Sequence, residues 1–523
     1  MRIPSYHRYT LCAALAAVLL LSACETGFED MNTDPTQASS IAPDYLFTTI
    51  ELATTGTGYM QWRNNLIYPS AMMQQLSHTW WAGDKYTENQ QWMTALWGTY
   101  YGQFGKYRAV VPTLQDLLAN HADNPEMVNK VAAARIMKVF VFHRLTDTYG
   151  DVPYFEAGKG YLEGIVEPAY TPQSEIYADM LTELEEAVAS FDPSKPMYGS
   201  ADLLYGGDIA KWRKFGNSLM LRLGLRLVKV DPGAAQTWVQ KAVAGGVMTS
   251  NDDSAVMPHE NGPSGQFDGL NVNPISSVFA SDAPMLAERF VDWMQETGDP
   301  RLGVFAATYT AAAYTAGATL VSDDPAEQIG YPVGNDATTI QGHPTWDPAR
   351  QFNLYAQPNR IIRGLDDPTF YMTYAQVALN LADAAARGLT GGDPAAYYAE
   401  GVRAAMQQLA LYDDGGAASI SDAEIDAYLA DNPYDPARAL EQINVQFWAA
   451  SFLDGIEAWS NWRRTGYPVL TPVNWPGNQS GGQIPRRMLY PTEEEQLNSE
   501  NYSAAVSRQG PDNFTTRVWW DVP

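Results

Sequence analysis

Cys24 occupies a position that favours a covalent modification of its thiol. The chain has only two cysteines, both within its first 24 residues. Residues 11–21 form an apolar run that follows two arginines, and Leu21-Ser22-Ala23 then places small residues directly before the Cys24 thiol. This arrangement is typical of a bacterial lipobox. We therefore predict a lipoprotein signal peptide over residues 1–23 and attachment of lipid to Cys24.

A polar, acidic stretch follows this cysteine. Residues 24–43 lack hydrophobic periodicity and contain Glu25, Glu29 and Asp30, so we predict a lipidated tether. The acidic cluster is typical of a surface-export signal, although an ordinary flexible tether accounts for it equally. The apolar run is shorter than the ~20 residues that cross a bilayer. The lipid is therefore the only membrane attachment that we expect.

Three aromatic residues form the candidate binding platform. In the stretch QLSHTWWAGDKYTENQQW, Trp80, Trp81 and Tyr86 lie in a predicted loop outside helical periodicity. Aromatic rings on a loop give flat apolar faces with polar rims, which suit sugar faces or peptide side chains. The alternative is that these rings fold back onto the core. Trp346 and Trp475 are weaker candidates for the same reason.

Signatures of catalysis and of metal binding are missing from the sequence. It contains no HExxH, GxSxG, P-loop or GxGxxG pattern, and its six histidines are mostly scattered singly. We therefore predict no catalytic residue, no metal ligand and no cofactor. The one exception left open is a structural calcium at Asp413-Asp414-Gly415-Gly416. This segment lacks the ligand series of a calcium-binding loop, so we prefer an ordinary turn there.

Two charged clusters have structural explanations that we prefer. Glu493-Glu494-Glu495 follows Thr492, and this spacing predicts a capping box at a helix start. Arg463-Arg464 ends a predicted helix rich in tryptophan. A clamp for phosphate or carboxylate is conceivable there, but we expect these arginines to pair with internal acids and stack on tryptophan.

The composition narrows the classes of partner. The formal net charge is −27, which argues against nucleic acid and against docking on anionic lipid. Hydrophobic residues make up 46% of the chain and aromatic residues 12%, enough for a large packed core.

The elements that must position these residues are mostly helices. Apolar residues at helical spacing and capping residues predict helices over 88–111, 127–149, 172–191, 208–230, 283–296, 369–387, 394–411, 422–430 and 436–462. Thr171 is the expected N-cap of the third. Residues 301–366 are rich in Gly, Pro and Ala-Thr-Tyr runs and predict short strands or long loops. Successive helical pairs suggest a tetratricopeptide-like scaffold with an irregular part packed on it.

Several long segments form an ordered set of signatures along nearly the full length of the chain. After the lipobox and MNTDPTQ, they are RLTDTYGDVPYFEA (144–157), PAYTPQSEIYADMLTEL (168–184), KWRKFGNSLMLRLGLRL (211–227), GIEAWSNWRRTGYP (455–468), IPRRMLYPTEEEQLNSENY (484–502) and TRVWWD (516–521). These segments resemble the SusD/RagB family of outer-membrane nutrient-binding lipoproteins. The chain is therefore identified as a member of this family, with residues 44–523 as its helical domain.

The resemblance implies a function without catalysis. Proteins of this family lie at the cell exterior, anchored by lipid to the outer membrane. They capture oligosaccharides or, in some cases, peptides and deliver them to a SusC-like TonB-dependent outer-membrane barrel. The quoted segments are expected to define the fold rather than to touch ligand. Where the family pattern leads us to expect glutamate, this chain has Asp383, which keeps the charge.

Two other functions are weighed against this one. The abundance of acidic residues permits a surface-anchored glycan hydrolase, which needs a carboxylate pair whose separation a sequence cannot give. A tetratricopeptide-type scaffold that binds only proteins is the second alternative.

Overall fold

Helices dominate the computed structural model, which describes residues 41–102, 109–261, 272–412 and 415–523. The α-helices are α1 (Pro43–Thr54), α2 (Gly58–Met60), α3 (Gln90–Met93), α4 (Ala95–Tyr101), α5 (Val110–His121), α6 (Val128–Tyr149), α7 (Gly160–Glu163), α8 (Gln173–Ser190), α9 (Ile209–Arg226), α10 (Pro232–Gly245), α11 (Pro274–Phe279), α12 (Glu288–Thr297), α13 (Arg301–Phe305), α14 (Tyr374–Ala386), α15 (Pro394–Gln407), α16 (Asp422–Asp431), α17 (Ala439–Ala450), α18 (Gly455–Thr465), α19 (Thr492–Leu497) and α20 (Ser499–Gln509). Leu46–Pro523 forms one compact unit. The predicted mainly α class is confirmed.

Strands are short and pair in small antiparallel ladders. They are β1 (Leu76–Ser77), β2 (Val152–Pro153), β3 (Tyr170–Thr171), β4 (Ala255–Met257), β5 (Met285–Leu286), β6 (Ala306–Tyr309), β7 (Leu320–Ser322), β8 (Gln357–Pro358) and β9 (Thr369–Met372). The pairs are β1–β5, β2–β3 and β4–β9, and β6 lies between β7 and β8. A π-helix (Gln61–Ser70) continues α2, and short 3₁₀ turns connect many elements.

Paired helices build the scaffold. Packing joins α5 to α6, α8 to α9, α9 to α10, α14 to α15 and α17 to α18. Helix α14 also packs on α9 and α17 and so connects the earlier pairs to the later ones. The tetratricopeptide-like scaffold is confirmed, and so is the irregular part, because residues 301–366 contain β6–β8 and several 3₁₀ turns.

Two predicted helices are interrupted in the structure. The helix predicted over 88–111 is wrong as a continuous element, since α4 ends at Tyr101 and its C-cap Gly102 has a left-handed φ of 108°, which a helix does not accommodate. The helix predicted over 436–462 is likewise two helices. The second of these begins at Gly455. Glycine is required at this position because a Cβ there would lie 2.3 Å from Ser70 Oγ of the π-helix. Its amide donates to Asn65 Oδ1 at 2.7 Å.

Two predicted caps are also wrong. Thr171 belongs to β3, and Pro172 is the N-cap of α8. Thr492 lies inside α19 and makes no capping box, since Pro491 precedes the helix without a side-chain cap. Glu494 instead accepts a hydrogen bond from Tyr170 Oη at 2.9 Å.

A buried ionic cluster joins four of the quoted segments. Both Glu457 oxygens accept hydrogen bonds from Arg226 at 2.8 Å, and Arg226 Nε donates to Asp147 at 3.2 Å. Trp520 Nε1 donates to the same aspartate at 2.9 Å, and Arg222 lies 3.5 Å from Glu457. All five side chains are buried. Burial opposes ionisation, but Arg222 and Arg226 hold the pKa of Glu457 below its usual value. These segments therefore define the fold, as expected.

Arg463 and Arg464 have the structural role that we preferred. The Arg463 guanidinium stacks 3.7 Å from the Trp459 ring centre. Arg464 pairs with Asp383 at 3.2 Å, and Asn444 donates to the same carboxylate at 2.9 Å. Both arginines are buried, so neither clamps an external anion. Burial by itself would raise the pKa of Asp383. The charges of Arg464 and Arg387 outweigh burial and lower this pKa well below its usual value, which keeps the carboxylate charged.

A pair of acidic side chains is buried beneath the first helix. Glu51 accepts a hydrogen bond from the Leu203 amide at 2.8 Å and lies against Asp202, which Trp212 and three backbone amides also contact. Burial first, and then the charge of Asp202, raises the pKa of Glu51 well above its usual value. Glu51 therefore binds a proton more readily in the folded protein than an exposed glutamate does.

We expect Glu51→Gln to stabilise the protein by an amount that grows with pH. Folding takes up a proton at Glu51 when the pH lies between the unfolded pKa of ~4.3 and the higher pKa in the folded protein. Over this range the free energy of unfolding of the wild type falls by up to ~1.4 kcal/mol per pH unit. Glutamine is neutral, keeps an oxygen that accepts the hydrogen bond from the Leu203 amide and offers an amide N–H towards Asp202. Urea unfolding between pH 4 and pH 8 measures the difference. An advantage that stays constant over this range contradicts the assignment, and the exposed Glu327→Gln serves as the control.

Several predicted features lie outside the described residues. These are the signal peptide (residues 1–23), Cys24, the tether up to residue 40 and the first two residues of the Asp413-Asp414 turn. Among the described helices, none combines the length and hydrophobicity required to cross a membrane.

Candidate binding cleft

The loop after β1 carries the three predicted aromatic residues, but it presents only one of them. Trp80 is 41% exposed, whereas Trp81 is 0% and Tyr86 1% exposed. The expectation of three accessible rings is therefore corrected to one. Trp81 and Tyr86 belong to the core, which was the alternative considered for all three. A contact between ligand and Trp80 stays a prediction.

Buried polar contacts hold this loop in place. The Lys85 ammonium donates to the carbonyls of His78 and Trp81 at 3.0 and 3.2 Å, and it pairs with Asp84 at 3.0 Å. The Tyr86 hydroxyl accepts a hydrogen bond from the Val473 amide at 3.1 Å. Because these anchors are inside the protein, Trp80 projects from a rigid base.

Neighbouring rings fix the orientation of Trp80. Trp62, from the π-helix, lies 5.5 Å away at 86°, Trp92 lies 5.7 Å away at 75°, and His78 lies 5.3 Å away at 63°. Edge-to-face contacts of this kind are favourable between aromatic rings. They leave a large part of the Trp80 surface exposed, as its 41% exposure shows.

Asp282 contacts two of these rings, those of Trp62 and His78. Trp62 Nε1 donates to Asp282 at 2.9 Å, and His78 Nε2 lies 3.3 Å from the other carboxylate oxygen. Burial, and secondarily the charge of Lys85, lowers the pKa of His78 to about 3. Burial raises the pKa of Asp282, and the bond from Trp62 opposes this rise. At neutral pH His78 is therefore an uncharged imidazole that lies against the Asp282 carboxyl group.

The β1–β5 ladder brings the walls of the cleft together. Leu76 pairs with Leu286 and Ser77 with Met285, which places the loop after β1 beside the loop before β5. The Leu286 amide donates to the Ala356 carbonyl at 2.8 Å, so the segment before β8 also joins this edge. The resulting cleft has a volume of about 400 Å³. It is lined by Trp62, His78, Thr79, Trp80, Ser281, Asp282, Ala283, Met285, Ala312, Tyr314, Phe352, Asn353 and Gln357.

Tyr314 supplies a second accessible ring. It is 47% exposed and lies in the connection between β6 and β7. Gln357 Oε1, on β8, accepts a hydrogen bond from the Ala313 amide at 2.9 Å and so anchors this connection. Asn353 Nδ2 donates to the Thr310 carbonyl at 3.3 Å.

Sequence reasoning missed Trp62, Asp282 and Tyr314. They lie far apart in the chain, and none belongs to a recognisable motif. An aromatic residue in the Ala-Thr-Tyr run was the only signal that pointed to Tyr314. The weaker candidate Trp346 packs edge-on against Phe352 at 5.3 Å, whereas Trp475 lines a different cleft.

The chemistry of this cleft is that of reversible binding. Two accessible aromatic rings, an aspartate, an imidazole and two side-chain amides surround a space in the size range of small-molecule sites. Flat apolar faces with polar groups at their edges complement a sugar ring, which is apolar on its faces and polar at its rim. Within the described part of the chain, no three or more His, Cys, Asp or Glu side chains are grouped so that they could hold a metal ion.

Residues 35–491 match the protein family described as "Starch-binding associating with outer membrane". No curated protein matches this chain.

Solved structures resemble this one over most of its length. A chitin-binding protein is 34% identical, with a TM-score of 0.80, over 92% of this chain and 100% of its own. A SusD-like protein from Bacteroidetes, AC2a, is 29% identical, with a TM-score of 0.81 and the same coverage. A SusD homologue from Bacteroides uniformis, 24% identical with a TM-score of 0.72, shares the fold over 92% of this chain and 99% of its own.

Proposed function

We propose, from the fact that this chain belongs to the SusD-like family, that it is a cell-surface glycan-binding protein. Its ligand is an oligosaccharide held in the cleft around Trp80. The braced and exposed Trp80 ring, with Tyr314 in the same cleft, is the observation that carries this proposal.

The ligand class that we favour is the chitin oligosaccharide. The 34% identical relative is a chitin-binding protein, and it covers nearly all of this chain. The net charge of −27 disfavours polyanionic glycans but leaves uncharged sugars unaffected. Chitin oligosaccharides are uncharged and have ring faces that stack on aromatic side chains.

The same proposal includes a lipid anchor and a transport partner. We propose that Cys24 is acylated, that the protein lies on the outer membrane facing the cell exterior, and that it delivers its ligand to a SusC-like TonB-dependent barrel. A protein that releases its ligand into a transporter needs moderate affinity. A few stacking contacts of about 1 kcal/mol each, together with hydrogen bonds, give micromolar rather than nanomolar dissociation constants.

Calorimetric titration of the purified protein tests the ligand class. The ligands are the hexamer of N-acetylglucosamine, the α-1,4 and β-1,4 hexamers of glucose, and a peptide mixture. We expect micromolar binding of the N-acetylglucosamine hexamer and weaker binding of the others. Incubation with each glycan should release no new reducing ends. Binding of peptides alone contradicts the glycan proposal, and new reducing ends favour the hydrolase alternative.

Cell fractionation tests the anchor and the partner separately. The wild type should be recovered with outer membranes and should be cleaved by protease added to intact cells, whereas Cys24→Ala should leave the membrane fraction. A tagged wild type should co-purify with a TonB-dependent barrel from native envelopes. Consistent absence of the barrel contradicts the transport partner but leaves glycan binding intact.

Affinity for uncharged glycans should not change between pH 6 and pH 8. His78 is the histidine that lines the cleft, and with a pKa of about 3 it stays neutral over this range. Titrations in buffers of equal ionic strength measure the dissociation constant at each pH, with His78→Asn as the control. A change of more than about threefold with a midpoint near 6.5, the ordinary value for histidine, contradicts this assignment.

A further inference from the structure

Trp475 lies in a loop that buried side chains hold firmly. Gln74 Nε2 donates to the Thr471 carbonyl at 2.7 Å, and Tyr86 accepts hydrogen bonds from Val473 through its hydroxyl and from Gln479 through its carbonyl, at 3.1 and 2.8 Å. Proline residues at 472 and 476 stiffen the same stretch. This loop is therefore rigid on both sides of the indole.

The packing of the core does not account for the Trp475 ring. Among the described residues, Val473 is one of the half-buried apolar side chains that pack on a hydrophobic core, but Trp475 is not. The Lys85 ammonium lies 5.8 Å from its ring centre. Trp475 is half-buried, so part of its ring is accessible. A large aromatic side chain held on a rigid loop outside these hydrophobic clusters is a candidate for ligand contact.

A cleft of about 590 Å³ opens beside this ring. Its walls carry the carboxylates of Glu288 and Asp292, the guanidinium of Arg289 and the amides of Asn335 and Asn474. Carboxylates and amides accept hydrogen bonds from hydroxyl groups, and the excess of negative charge disfavours anions. Aliphatic and proline side chains also line the cleft beside Trp475, at positions 333, 469, 472, 473 and 476. Apolar surface next to one aromatic face and several hydrogen-bonding groups suits a sugar ring, which is apolar on its faces and polar at its rim.

The position of this cleft relates it to the first one. The β1–β5 ladder is antiparallel, so the residues before β1 meet those after β5 at one end. Gln74 and Glu288 line the second cleft at that end, and His78 and Asp282 line the first cleft at the other. Residues 80–86 support both clefts. Trp80 lines the first cleft, and Tyr86 anchors the loop that carries Trp475.

We infer that the Trp475 cleft is a second binding site for an uncharged oligosaccharide segment, separate from the Trp80 cleft. This inference rests on the proposed function, because it assigns the same ligand class to another surface.

Fluorine NMR of protein labelled with 5-fluorotryptophan tests the second site directly. The signal missing from Trp475→Phe identifies Trp475. We expect this signal to shift when the N-acetylglucosamine trimer is added to the wild type, and to shift equally in Trp80→Ala. In calorimetry, Trp475→Ala should weaken binding of the N-acetylglucosamine trimer at this second site by about tenfold and leave the affinity of the Trp80 cleft unchanged, while Trp475→Phe retains most of the affinity at both sites.

The outcomes separate this inference from the function on which it rests. A Trp475 signal that stays unmoved in the wild type, while Trp80-dependent binding persists, overturns the second site alone. A signal that moves in the wild type but not in Trp80→Ala also overturns it, because the shift is then transmitted from the first cleft. A wild type that binds no oligosaccharide overturns the proposed function as well. The same spectra report whether each variant is folded.

Discussion

Replacing Trp80 with alanine should weaken the binding of N-acetylglucosamine oligosaccharides by about 10- to 300-fold. The ring is 41% exposed and lines the first cleft. Stacking contributes about 0.5–1.5 kcal/mol beyond the burial of apolar area, and the buried area adds about 1–2 kcal/mol. Since 1.4 kcal/mol corresponds to a factor of ten, the sum gives this range. Calorimetric titration measures the dissociation constant.

Matched variants separate the loss of stacking from general damage. Trp80→Phe keeps a ring and should retain most of the affinity. Tyr161→Ala removes an aromatic side chain that is 98% exposed and lies outside the cleft, so its affinity should equal that of the wild type. If Trp80→Ala binds within a factor of two of the wild type, the ligand lies elsewhere on the protein.

Glu457→Gln should lower the free energy of unfolding by about 3–5 kcal/mol. This carboxylate is buried and is bonded to Arg226 through both oxygens, with Arg222 3.5 Å away. Removing its charge leaves buried guanidinium groups without compensation, which costs more than the loss of the hydrogen bonds alone. Urea denaturation at neutral pH measures the effect.

An exposed ion pair provides the control for this prediction. Lys241 and Glu185 are 2.7 Å apart with side chains that are 42% and 45% exposed, so Glu185→Gln should cost less than about 1 kcal/mol. Pairing Arg226→Met with Glu457→Met should restore part of the lost stability, because one cation and one anion are removed together and the remaining Arg222 and Asp147 carry opposite charges. A loss below about 1 kcal/mol in Glu457→Gln shows that the cluster is not an important source of stability.

The sequence predicts the scaffold well because its signals there are local. Helix α9 begins after Asp208 and α15 after Asp393, since each aspartate accepts hydrogen bonds from the first backbone amides of its helix. The breaks at Gly102 and Gly455 are harder to predict. The second of them depends on close approach of a segment almost 400 residues away in the chain.

The candidate site is predicted poorly because it is assembled from distant segments. The adjacent tryptophans locate the loop, but nothing local indicates that Trp80 is exposed while Trp81 is buried. That difference depends on the stacking of His78 on Trp81 at 5.9 Å and on the anchors of Lys85. Trp62, Asp282 and Tyr314 become neighbours only through the β1–β5 ladder and its contact with the segment before β8.

The buried ionic cluster and the Trp80 cleft share no residue. Substitutions in the loops that carry Trp80 and Tyr314 therefore leave the interior charges paired. If Trp80 and Tyr314 contact the ligand as proposed, substitutions of these two rings can change which polysaccharide is bound while the helical frame stays the same. On the proposed function, a new ligand preference would then require loop substitutions and no new fold.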